Sequence, residues 1–122
     1  MAGEPDFDWS QAASLLGDDP QNVPEEMAAI ALELVETTGQ RLQEMKDKNL
    51  ETDRKTICGQ AHQLRGSLLN FGFTGVGAVL WKIEKTEYTP EQYRALLAET
   101  EELFALSTQM LAERYPSLHL PS

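Results

Sequence analysis

The sequence predicts an all-α domain: an antiparallel four-helix bundle with a short additional helix at its N-terminus. Apolar residues recur at helical spacing over most of the chain, as in Ile57, Ala61, Leu64, Leu68 and Phe71. Glycine, proline and capping residues punctuate that pattern, and the short connections between helices favour antiparallel neighbours. No convincing strand pattern or internal repeat interrupts it.

The elements follow in order. A first short helix is expected over about 8–16, with Phe7, Trp9, Leu15 and Leu16 as its apolar contacts and Gly17 as its stop. The turn Asp18-Asp19-Pro20-Gln21-Asn22 leads to a long helix starting near Pro24, where Glu25 and Glu26 suit the positive helix end. Its buried stripe reads Met27, Ile30, Ala31, Leu34, Thr38, Leu42 and Met45, and Asn49 is expected to stop it after Lys46 and Lys48. A third helix is expected over about 53–70 and is broken by Gly72. Thr74 is then expected to cap a fourth helix carrying Val76, Val79, Leu80 and Ile83. Thr89-Pro90-Glu91-Gln92 has the form of a capping box with proline at the first helical position. The last helix runs from there to just before Pro116.

With 122 residues the chain is read as one domain, its core at about 7–115 and a short tail at 116–122. Hydrophobic content of 41% and charged content of 25% fit an ordinary globular protein. No apolar run is long enough for a membrane span, and the acidic N-terminus lacks the regions of a signal peptide. A single cysteine excludes an internal disulfide and suits a reducing cytoplasm, the expected location. The net charge of −10 argues against nucleic-acid or anionic-membrane binding. Charge is unevenly spread, however. From Arg54 to Lys85 five cations face one acid, a net of +4 that leaves −14 on the remainder.

That basic block holds the candidate site. His62 is one residue round from Ala61, so it faces outward beside the buried stripe. Its own stripe contains Cys58, Gly59, Arg65, Gly66 and Leu69. A glycine inside a helix costs about 1 kcal/mol relative to alanine, so Gly59 and Gly66 need a reason. For Gly66, beside His62 and Arg65, the reason is steric clearance for another macromolecule; for Gly59, clearance and close helix packing stand level. A neutral imidazole has one ring nitrogen with a free lone pair, able to attack phosphorus, and the Arg65 guanidinium suits phosphoryl oxygens. Leu69 and Phe73, if exposed, form an apolar rim for docking a partner; ordinary core packing stands level with that reading. Trp81 reads as partly buried packing rather than an anchor.

Other chemistries find little support. The glycine-rich run Gly72-Phe73-Thr74-Gly75-Val76-Gly77 lacks the Lys-Ser/Thr ending of a phosphate-binding loop and follows no strand, so no nucleotide site is expected. Cys58 and His62 make two ligands at most, and His119 lies beyond Pro116; no metal site and no cysteine nucleophile are expected.

The run His62-Gln63-Leu64-Arg65-Gly66-Ser67, with Gly72 ten residues after the histidine and then Val76, Leu80, Ile83 and Glu84, resembles the histidine-containing phosphotransfer (HPt) domains of multistep phosphorelays. Arg65 stands where lysine is commoner in that pattern, Phe73 where a small residue is usual and Leu80 where cysteine often sits. The resemblance implies a phosphoryl carrier rather than an autonomous kinase. His62 would accept a phosphoryl group from a receiver-domain aspartate, by Nε2, and pass it to another receiver. It implies Arg65 as phosphoryl partner, Gly66 as clearance, assistance from Gln63, and Cys58, Gly59, Leu69 and Phe73 as partner contacts. The implied partners are response-regulator receiver domains or a hybrid histidine kinase, with Mg²⁺ supplied by the receiver, no cofactor on this chain, and a monomeric state. Two alternatives stand beside it: a non-catalytic adaptor of the same shape, and a substrate domain phosphorylated by a histidine kinase in trans.

Overall fold

The computed structural model describes residues 4–121. Five α-helices account for most of them: α1 (Trp9–Leu16), α2 (Glu25–Lys46), α3 (Leu50–Asn70), α4 (Thr74–Lys85) and α5 (Pro90–Arg114). A single 3₁₀ turn, Pro116–Leu118, follows, and there is no strand among the described residues. No helix among them is long and apolar enough to cross a membrane.

Local chemistry explains most helix ends. Asp8 caps α1 by accepting from the Gln11 amide at 3.1 Å, and Gly17 ends it at φ 90°, a conformation that favours glycine. The capping box of α5 is formed in both directions, Thr89 Oγ1 accepting from the Gln92 amide and Gln92 Oε1 from the Thr89 amide. Two expected ends differ. Asn49 does not stop α2, which already ends at Lys46. It opens α3, its side chain accepting from the Glu51 amide at 2.9 Å while its own amide donates to Asp53 at 3.1 Å. The third helix therefore begins at Leu50 rather than near 53. Thr74 is the first residue of α4 and not its cap.

The core is made by the stripes that the spacing predicts, with one rotation. On α2, Val35 is buried and Ile30 is 47% exposed, so the buried face is turned from the expected set. On α3 and α4, Ile57, Ala61, Leu64 and Leu68 meet Val76, Leu80 and Ile83 in the interior. The order of contacts shows that these two helices run antiparallel: Arg54 reaches Thr86, Cys58 reaches Ile83, His62 reaches Glu84, and Leu69 lies on Gly77.

Residues on both sides of the helices are part of this body, Pro5 and Asp6 before them and Ser117 and Leu118 after, which extends the core beyond 7–115. Pro5 is buried, the Gly75 amide donates to the Asp6 carbonyl at 2.9 Å, and the Asp8 amide donates to the Gly72 carbonyl at 2.8 Å. At the other end Leu118 is buried, Tyr115 donates its hydroxyl to the Gly17 carbonyl, and Ser117 donates to the Pro20 carbonyl. The start of the expected tail, Ser117 and Leu118, is thus docked rather than free, with Ser117 on the α1–α2 turn.

Candidate functional site

His62 sits mid-way along α3 on the side that borders α4, its side chain 64% exposed. Two turns of geometry place a carboxylate against it. Gly77 lets α3 and α4 approach: a Cβ there would lie 2.7 Å from Leu69 Cδ2 and 3.2 Å from its Cγ. Seven residues on along the same side of α4 is Glu84, whose side chain is only 10% exposed.

Glu84 is the centre of the polar cluster. Its Oε2 lies 2.9 Å from His62 Nδ1, and its Oε1 accepts from Arg65 Nη2 at 3.0 Å. Lys85 Nζ is 3.3 Å from the same Oε2 that meets the histidine. Burial alone would push the Glu84 carboxyl up. Hydrogen bonds from Lys85 and His62, and the charges of those two groups, outweigh it and hold the carboxyl below its ordinary value. An ionised carboxylate only accepts hydrogen bonds, so Nδ1 carries a proton towards Glu84, and in a neutral ring the lone pair is then on Nε2. The neutral form of the imidazole thereby has its tautomer set by a neighbour, as carboxylates set it in other imidazole sites.

The other expected site residues divide. Arg65 joins the cluster, its side chain 22% exposed, and its Nη2 is 3.5 Å from His62 Nδ1; its Nε is buried without a hydrogen-bond partner. Gln63 is exposed beside the ring. Gly66 and Gly59 are both exposed, and a Cβ built at either meets nothing within 4 Å. Close helix packing therefore does not explain Gly59, and both glycines leave bare helix surface. Leu69 is 37% exposed at the edge of α4. Trp81, on α4 between Gly77 and Glu84, is 46% exposed, so its indole is shared between packing and solvent.

Two expectations fail. Phe73 forms no rim: it is fully buried, with Phe7 at 5.2 Å and Phe104 at 6.1 Å between ring centroids. The reason is Gly72, whose φ of 93° turns the chain so that the next side chain points inward. A Cβ at Gly72 would overlap the Asp8 carbonyl oxygen, which accounts for glycine at this turn. Cys58 is not on the open stripe either. It is half-buried in the α3–α4 seam, its thiol 3.8 Å from the Ile83 carbonyl.

A family model of the Hpt domain matches residues 21–113, well over half of the chain. The chain belongs to the Hpt domain family. Its class of chemistry is accordingly phosphotransfer in two-component signalling. No curated protein and no solved structure matches the chain. Within this Hpt domain the matched span contains all of α2, α3 and α4 and nearly all of α5, so the whole His62 cluster lies inside it.

Glu84 and Lys85 are the site residues that sequence reasoning missed. Glu84 was visible as a pattern position, yet nothing in the spacing alone pairs residues 62 and 84. The usable signal was the seam itself: two glycine-containing amphipathic helices joined by a three-residue turn bring such positions opposite one another. No group of three or more His, Cys, Asp or Glu side chains suited to a metal ion occurs among the described residues.

Proposed function

We propose that this chain is a phosphoryl carrier in which His62 Nε2 takes a phosphoryl group from a receiver-domain aspartate and delivers it to another. The observation that carries the reading is the Glu84 carboxylate 2.9 Å from Nδ1 of a largely exposed ring. The lone pair on Nε2 attacks phosphorus in line. The bond from phosphorus to the aspartyl oxygen breaks, and its electron pair leaves on the carboxylate. The Nδ1 proton stays in place, so the phosphorylated ring is an imidazolium whose charge Glu84 offsets. In the reverse step a neutral imidazole departs, a far better leaving group than an imidazolate, which suits two-way traffic. Arg65 places cationic charge beside the ring, and Gly66 and Gly59 leave the approach clear. Little covalent machinery is required of such a carrier, since positioning and charge do most of the work. The receiver supplies Mg²⁺.

The same reading takes α2 to α5 as an antiparallel four-helix bundle with α1 across it, forming one domain. It acts as a monomer inside the cell, with receiver domains or a hybrid histidine kinase as partners. Shared features support this arrangement: Val35 lines a groove with Phe104 and Thr108, while Met45 accepts from Tyr93, so α2 and α5 also run in opposite senses.

The test is transfer from a panel of phosphorylated receiver domains to the wild-type chain and to His62→Gln, read as intact mass and acid lability. One acid-labile phosphate on the wild type and none on the variant is the expected result. Transfer at the wild-type rate to His62→Gln would overturn the site, and binding without transfer would favour the adaptor.

A further inference from the structure

The five cations of the basic block have different fates. Arg54 donates to the Thr86 carbonyl at 3.0 Å and its guanidinium lies 4.5 Å from the Tyr88 ring centre. Lys82 lines a groove towards α5 with Tyr88, Leu96 and Glu99. Lys55 lies two turns before His62 on α3. Arg65 is held on Glu84 Oε1, with most of its side chain covered. Lys85 alone of the five joins the His62 cluster while its side chain remains 51% exposed.

We propose that Lys85 is a phosphoryl-binding cation, which leaves Glu84 for the phosphoryl oxygens when His62 is phosphorylated. The inference rests on the phosphotransfer reading and names a residue for the phosphorylated state. Its basis is the sharing of one oxygen. In the unphosphorylated chain Glu84 Oε2 serves both the His62 ring, at 2.9 Å, and the Lys85 ammonium, at 3.3 Å. Phosphorylation changes both sides of that balance. The ring becomes cationic and demands Oε2 for itself. A phosphoryl group carrying close to two negative charges arrives on the exposed side of the ring.

The ammonium is then offered a dianion in place of half a share in a monoanion. Lysine suits the exchange, being a point charge with three donors on a flexible four-carbon stem. Arg65 does not, because its planar guanidinium is fixed on Oε1 and largely covered. Arg65 stays to hold Glu84 in place while Lys85 moves. The consequence is a longer-lived phosphohistidine, since positive charge on the phosphoryl oxygens opposes loss of the group to water.

The experiment uses the full chain, phosphorylated with phosphoramidate, which transfers its phosphoryl group to histidine without a protein partner. Phosphohistidine is followed by ³¹P NMR and the lysine Nζ and ring nitrogens by ¹⁵N NMR. Lys85→Gln should shorten the phosphohistidine lifetime about three- to tenfold, the range of one partly exposed charge-assisted hydrogen bond. Lys85→Arg should restore most of it. Lys55→Gln, which removes the same charge at a distance, should leave the lifetime near that of the wild type. The Lys85 Nζ resonance should move on phosphorylation while Nδ1 keeps its proton. Equal lifetimes for wild type and Lys85→Gln, or equal shortening by Lys55→Gln, would overturn the assignment and leave the phosphotransfer reading standing. A wild-type chain that gains no phosphate on His62 from this donor would overturn both.

Discussion

Along the α3–α4 seam Gly77 lets Leu69 and Arg65 lie against the neighbouring helix, and four charged or ionisable heads meet above it. Along the α2–α5 seam Val35, Phe104 and Thr108 line a groove of about 590 Å³, most of whose lining is apolar. The polar ties there are few: Tyr93 donates to the Met45 carbonyl at 2.8 Å and Lys46 pairs with Glu101 at 3.1 Å. Thr38 and Thr108, with Ser107, are buried with hydroxyls that have no hydrogen-bond partner. The difference shows where close fit is needed. A nucleophile set by a 2.9 Å contact between two helices tolerates little slack between them, whereas a seam that carries no chemistry can leave a groove and a few unpaired hydroxyls.

The α3–α4 seam is most sensitive at Glu84. Glu84→Gln should slow phosphoryl gain by His62 roughly 10- to 100-fold, the usual cost of losing a partner that orients an imidazole. The same variant tests a pH dependence. Because the native Glu84 carboxyl is held below its ordinary value, its contribution to stability is fully present above the unfolded glutamate value of about 4.3. That contribution is lost as pH falls through the lowered native value. The difference in unfolding free energy between wild type and Glu84→Gln should therefore shrink as pH falls below about 4.

Gly77→Leu strikes the seam rather than the charges. Its side chain has to displace Leu69, so a loss of about 1–3 kcal/mol is expected in denaturant unfolding, together with slower transfer as α4 moves away. The looser seam should respond in the opposite direction. Thr108→Val keeps the shape, removes an unpaired buried hydroxyl and should stabilise by about 1 kcal/mol without altering transfer. Gly66→Ala gives the smallest change in stability, a gain of about 0.5–1 kcal/mol because added Cβ atoms meet nothing in this chain. Its transfer from a receiver should nevertheless slow, and an unchanged rate would remove clearance as the reason for the glycine.

Much of this was legible in the sequence because it depends on near neighbours along the chain. The α5 capping box, the Gly17 stop, the outward-facing His62 and the inward Ile57-Ala61-Leu64-Leu68 stripe each follow from spacings of four residues or fewer. What was missed depends on tertiary placement. Asn49 is equally apt to end one helix or start the next, and only a three-residue gap between α2 and α3 decides it. Phe73 was misread because the sense of the Gly72 turn, set by the Asp8 carbonyl pressed against it, is invisible in the local pattern. Glu84 was missed as a site residue because a partner 22 positions away is found only once the α3–α4 register is known.

The stitching of residues 5–8 onto the Gly72 turn has a further consequence, for the order in which the site is completed. The α3–α4 hairpin is nearly local in sequence and can begin to pair by itself. Its turn is finished only when the Asp6 carbonyl takes the Gly75 amide and the Asp8 amide takes the Gly72 carbonyl, across more than sixty intervening residues. The turn from which α3 and α4 bring Glu84 to His62 is therefore buttressed by residues 5–8. Sequence changes at Pro5, Asp6 or Phe7, far from the histidine along the chain, would be registered at its ring nitrogen.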